Sequence, residues 1–153
     1  MEAMKLSNSF NLIEFTSSET ASRRGIDNTP SIAVIENLRL LCENVLQPLR
    51  DKYGKSINIT SGYRSPKLNK AIGGSSTSQH CYGQAADIQV DKKDYLKVWE
   101  ILKTLPFDQI IWEFGNEGAA DWIHVSFVEG KNRGQKLKAV KNIFGKTQYL
   151  PKQ

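Results

Sequence analysis

The chain has 153 residues, 39% of them hydrophobic, with two cysteines and a formal charge of +5. That length and apolar content suffice for one buried core, and so for a single domain over residues 1–153 that needs no disulfide to hold it. The charge excludes little by itself but favours an anionic partner such as nucleic acid, an acidic wall polymer or a membrane surface.

The opening "MEAMKLSNSF" lacks the apolar segment of a secretory signal, and no apolar run approaches the ~20 residues that cross a bilayer. Residues 1–9 are expected to be flexible, and the protein is expected to be made in the cytoplasm without membrane insertion. The next long pattern, "DNTPSIAVIENLRLLCENVLQPLRDKYG", repeats Ile35, Leu38, Leu41, Cys42, Val45, Leu46 and Leu49 at helical spacing. Thr29 and Pro30 mark its start and Gly54 its stop, which predicts the main core helix. "INIT" from Ile57 and "AADIQV" from Ala85 read as strands. Asp91 then caps a second helix with Tyr95, Val98, Trp99 and Leu102 on one face and Pro106 just past the end. "QIIWEF" from Gln109 and "WIHVSF" from Trp122 complete the predicted strands.

The C-terminal segment 130–153 holds seven Lys or Arg residues and no acid. It reads as a solvated edge hairpin whose lysines discourage strand addition, with a dedicated polyanion site as the alternative. Helices and strands mix without a strict βαβ rhythm, and neither a repeat nor a second composition zone is present. The prediction is an α+β fold, a small and mainly antiparallel sheet backed by helices. Cys42, inside the helical pattern, and Cys81, beside His80, read as two reduced thiols.

The chemistry concentrates in "SQHCYGQAADI", Ser78 to Ile88, where His80 precedes Asp87 by seven positions and Gly83, Ala85 and Ala86 trim the space between. Strand alternation puts Ile123, Val125 and Phe127 on one face and Trp122, His124 and Ser126 on the other. The same rule sends Ala86, Ile88 and Val90 to the core and turns Asp87 and Gln89 away from it. If these strands are neighbours, Asp87 and His124 converge, and His80 can join them from its loop. Two imidazoles and a carboxylate with one position open form the ligand set of a catalytic zinc site. An unrelated His and Asp at this spacing is the alternative.

These residues resemble the D-alanyl-D-alanine metallopeptidase family, zinc enzymes that cut bacterial cell-wall peptides. Its Ser-x-His-x-x-Gly-x-Ala-x-Asp pattern is met by Ser78, His80, Gly83, Ala85 and Asp87, and its Asp-x-x-His by Asp121 and His124. "SGYRSPKLN" and "DNTP" look like the phage and bacterial carboxypeptidase-like branch, and the likeness runs from about Phe10 to Pro151. The resemblance implies a hedgehog/DD-peptidase-type fold and one Zn2+ per chain, held by His80, Asp87 and His124. It makes Asp121 the general base, Arg64 the residue that binds a substrate carboxylate or carbonyl and stabilises the oxyanion, and Ser78 a substrate contact. Read without the family, Arg64 is a surface arginine and Ser78 loop filler. On a regular strand Asp121 and His124 would face opposite ways, so Asp121 must precede the strand or sit at a bulge. Some relatives carry a further histidine before Asp-x-x-His, where this chain has "EGAAD". A fourth ligand from Cys81 would close the site, so Cys81 is expected to be a small packing residue.

The implied function is hydrolysis of peptide bonds in peptidoglycan stem peptides, as a carboxypeptidase or an endopeptidase. A phage lysis enzyme, an endolysin, or a virion enzyme would reconcile a wall substrate with the missing export signal. The alternative is a non-catalytic wall-binding or virion structural module that keeps the fold. Nucleic acid is not the expected partner, because the basic tail lacks an aromatic-basic platform, and a monomer is expected.

Overall fold

The computed structural model describes residues 4–153. From the N-terminus come β1 (Lys5–Ser7), β2 (Phe10–Asn11), α1 (Leu12–Thr16), α2 (Glu19–Arg24), α3 (Ile32–Leu41), α4 (Gln47–Tyr53), β3 (Asn58–Ser61) and α5 (Pro66–Ala71). A 3-10 turn, Gln79–Tyr82, leads into β4 (Ala85–Gln89), and a second, Lys92–Asp94, into α6 (Tyr95–Leu102). The chain ends with β5 (Gln109–Glu113), β6 (Trp122–Ser126), β7 (Gln135–Lys141) and β8 (Thr147–Pro151). Of the N-terminal residues expected to be flexible, 1–3 lie outside the described ones, whereas β1 pairs with β2 and buries Leu6.

The predicted core helix is α3 and α4 joined by a π turn, Cys42–Leu46. Pro48 explains the wide turn: it has no N–H to give residue 44, and its ring would collide with that carbonyl in a regular helix. The helix begins at Ile32 with Ser31 as its cap, whose hydroxyl accepts from Val34 N, two residues later than the Thr29–Pro30 signal. Gly54 ends it with φ 80°, as the pattern predicts. Asp91 precedes the 3-10 turn Lys92–Asp94 instead of capping α6 directly.

Six strands form the main sheet in the order β3-β4-β6-β5-β7-β8. All pairs are antiparallel except β5 with β7, which run parallel. Period-two alternation divides the sheet into two faces. Ala86, Ile88, Ile110, Trp112, Ile123 and Val125 join Leu38, Leu41, Val45, Leu46 and Leu49 of the long helix and Val98, Trp99 and Leu102 of α6 in one core. The opposite face carries Asp87, Ile111, Glu113 and His124 and forms the floor of a cleft. The basic C-terminal segment is a hairpin, but a paired extension of this sheet: β7 is an inner strand and only β8 is an edge. Cys42 is buried and Cys81 partly buried, both as free thiols.

Candidate active site

Register brings the site together. Asp87 of β4 lies directly opposite His124 of β6, and His124 lies opposite Ile111 of β5. Odd positions of β4 and β5 and even positions of β6 therefore share the cleft face. His80 arrives from the 3-10 turn Gln79–Tyr82, whose cap Ser78 accepts through Oγ from His80 N at 3.2 Å. At the other end of that turn Gly83 adopts φ 71°, and a Cβ there would come within 2.7 Å of the Val34 carbonyl.

The ring of His80 is fixed from behind: its Nδ1 donates to the Gly62 carbonyl at 2.7 Å. Gly62 is obligatory, since a Cβ would lie 2.6 Å from the Phe15 backbone. With the proton on Nδ1, the neutral ring turns a lone pair on Nε2 toward Asp87 Oδ1, 3.3 Å away. His124 Nδ1 lies 3.1 Å from the same oxygen. Burial disfavours the cationic form of His80. Burial alone would raise the Asp87 carboxyl, but the two imidazoles overrule it and hold it well below the usual carboxylate range. A lone pair facing a carboxylate oxygen leaves a place for a cation.

The donor geometry fits zinc. Bonds of ~2.0–2.1 Å at tetrahedral angles separate neighbouring ligand atoms by roughly 3.3 Å. The two separations at Asp87 are 3.3 and 3.1 Å, and all three donor atoms lie within 4.8 Å of one another. The hydrogen bond from His80 to Gly62 is the outer support that orients a metal-binding imidazole. Cys81 is not part of this donor set; it lines a separate pocket with Pro66, Gly74 and Tyr82.

The cleft over these residues has a volume of about 920 Å3. Arg64 lines it, half-buried, with Nη1 donating to Asn69 Oδ1 at 3.1 Å and a buried Nε that has no partner among the described residues. Ser78 also lines it, with its hydroxyl occupied by the turn it caps. Asp121 does not line it. That residue precedes β6, its side chain is exposed, and its carbonyl accepts from Gln89 Nε2 and Tyr95 Oη. Asp121 lies in the bend just before β6, the position before the strand that its odd spacing from His124 requires.

Besides Asp87, the acid that faces the cleft is Glu113, which the sequence patterns did not single out. It lies opposite Trp122, diagonally next to His124, and is 7% exposed. A diagonal neighbour on a sheet face is roughly 7–8 Å away at Cα, within reach of a glutamate side chain. Burial pushes its carboxyl up to about 7, with His124 opposing and Asp87 reinforcing that shift.

The site's outer wall is tied down by Asp108, which is 1% exposed. Its carboxylate accepts from Gln79 Nε2 at 2.8 Å, Ser126 Oγ at 3.2 Å, Arg133 N at 2.9 Å and the Arg133 guanidinium at 2.7 and 3.0 Å. This joins the turn that carries His80 to β6 and to the approach to β7. Burial would raise the Asp108 carboxyl, but the bonds from Arg133 and Gln79 hold it well below its ordinary 3.8. Its stabilising effect is therefore complete above pH ~4, where the unfolded carboxyl is ionised, and is lost as the pH falls through the lower folded value. Asp108→Ala is expected to cost on the order of 2 kcal/mol at pH 7, because it leaves the buried Ser126 hydroxyl without its carboxylate acceptor and releases Gln79 and Arg133 from their shared anchor. Urea unfolding at pH 7 and pH 3 checks this: the gap between wild type and variant should narrow at the lower pH.

Residues 8–126 match the peptidase M15 family. The chain belongs to that family. It is also similar to a zinc D-Ala-D-Ala carboxypeptidase of Streptomyces albus G, at 32% identity over 87 residues, which are 56% of this chain and 34% of that protein. The chain thus aligns with about a third of the length of this curated relative. Membership of the M15 family implies Zn2+ as the cofactor, and the convergent donor set described above suits that ion. No helix among the described residues is long and apolar enough to cross a membrane.

Proposed function

We propose that this M15 peptidase hydrolyses peptide bonds in the D-alanine-containing stem peptides of bacterial peptidoglycan, with His80, Asp87 and His124 holding one zinc ion. The observation that carries the reading is the placement of a buried carboxyl, Glu113, and a half-buried guanidinium, Arg64, in one cleft with that donor set. The Streptomyces relative, named for D-Ala-D-Ala cleavage, supports the choice of substrate.

Bound in this centre, zinc supplies Lewis acidity, polarising a carbonyl and acidifying water. Glu113 is the general base in place of Asp121: it takes a proton from the attacking water and returns it to the leaving amine, a task suited to a carboxyl poised near neutrality. Arg64 directs its fixed donors at a substrate carboxylate or carbonyl oxygen and stabilises negative charge developing there. Ser78 serves by holding the turn that presents His80. The cleft extends beyond the candidate donors, lined also by Arg64 and Ser75, by Arg133 and by Tyr149. That openness favours an internal bond of the stem over a strictly terminal one. A phage lysis or virion role belongs to the same reading and is supported by the "SGYRSPKLN" and "DNTP" segments.

Digestion of purified sacculi followed by mass analysis tests this. New free amines or released D-alanine should appear, and a chelator should abolish them. Absence of chelator-sensitive products from several wall chemotypes would leave a non-catalytic wall-binding module instead.

A further inference from the structure

The family match ends at Ser126, yet the next two strands build much of the cleft. β7 runs beside β5 with Leu137 opposite Ile111 and Ala139 opposite Glu113, and β8 returns with Tyr149 opposite Ala139 and Thr147 opposite Lys141. Odd positions of this hairpin therefore share the face of Glu113 and the metal donors. Leu137, Lys141, Thr147 and Tyr149 line the cleft. The small Ala139 between Glu113 and Tyr149 leaves the tyrosine ring room to lean inward over the sheet.

Three cationic side chains line this cleft: Arg64, Arg133 and Lys141. Arg133 is compensated by Asp108 at 2.7 Å. Lys141 is held by neutral groups: its Nζ donates to Thr147 Oγ1 at 3.0 Å and stands 5.2 Å from the centroid of the Phe114 ring. Phe114 is the one non-glycine residue with positive φ among those described, at 57°, and its ring packs edge-on against Trp122. A bulky residue in that conformation is strained and persists only where its surroundings fix it. Here the strain places an aromatic face under the ammonium. The segment 130–153 that supplies this wall contains seven bases and no acid, so its charge complements an acidic ligand.

We propose that the hairpin end of the cleft is an anion subsite, in which the Lys141 ammonium, presented by Thr147 and Phe114, pairs with a free carboxylate on the peptide substrate. This rests on the peptidase reading above and narrows it to acidic peptides longer than a dipeptide. Lys141 is four positions along β7 from the level of Asp87 and three strands across, roughly 13 Å by 14 Å. Less the length of the lysine side chain, the span corresponds to about four extended residues between the scissile bond and the carboxylate.

The test uses stem-type peptides containing D-alanine with a glutamate four residues to either side of the cleaved bond, each made with its side chain free and amidated. Kd is measured by calorimetry on the zinc-loaded Glu113→Gln protein, with and without Lys141→Gln, and KM and kcat on the otherwise wild-type enzyme. The expected result is about tenfold preference for the free acid in both Kd and KM on one side of the bond. That preference should disappear in Lys141→Gln and return in Lys141→Arg. Equal affinity for acid and amide, or a preference that survives Lys141→Gln, overturns the subsite. Failure of the enzyme to cut any of the peptides tells against the peptidase reading separately, because the Kd comparison needs no turnover.

Discussion

Glu113→Gln should lower kcat by about 10²- to 10⁴-fold, the range for loss of a general base, while zinc content stays at one per chain. Asp121→Asn should change kcat by only a few-fold, because that side chain is exposed and does not line the cleft. The pair separates two carboxylates that the sequence motif alone does not distinguish. Steady-state kinetics with elemental analysis of each variant checks it; a collapse of kcat in Asp121→Asn with Glu113→Gln near wild type would return the role to Asp121. The base must be ionised, so kcat/KM should rise with pH along its acid limb. Burial places the Glu113 carboxyl at about 7, and a bound dication acts in the opposite direction. The limb should therefore lie at or below pH ~7 and should be absent from the residual activity of Glu113→Gln.

Replacing His80 or His124 by Ala should remove zinc as well as activity, a loss larger than that of any other single change proposed here. Each substitution deletes one of three protein donors and leaves Asp87 without a partner at 3.1 or 3.3 Å. Loss of metal affinity should exceed the 10- to 100-fold typical of outer-shell changes. Zinc per chain after dialysis against a weak chelator, with far-UV circular dichroism to verify folding, is the measurement. Full zinc in folded His124→Ala would remove His124 from the ligand set.

The sequence by itself determined the α+β class, the long helix from Ile35 to Leu49 and the central strands, and it pointed to His80, Asp87 and His124 as candidate metal donors. These rest on short-range regularities: helical spacing, alternation, and a motif compact enough that His80 and Asp87 fall within one turn and one strand. Alternation in "WIHVSF" turned His124 from the core before any pairing was known, and the register Asp87 opposite His124 completed the set. Glu113 was also within reach of alternation, as a lone acid in the apolar run "QIIWEF". Its meaning depended on which strand lay beside β5, and that is a non-local fact. Only the tertiary structure showed that β5 pairs with β6 so that Glu113 stands next to His124, while Asp121, three residues from that histidine in sequence, does not line the cleft. The basic C-terminal segment followed the same logic: local composition gave a solvated hairpin, and the parallel pairing of β7 with β5 made it a wall of the cleft. Period and propensity act over a few residues, whereas the position of a charge relative to a metal is set by strand order and register, which join residues far apart in the chain.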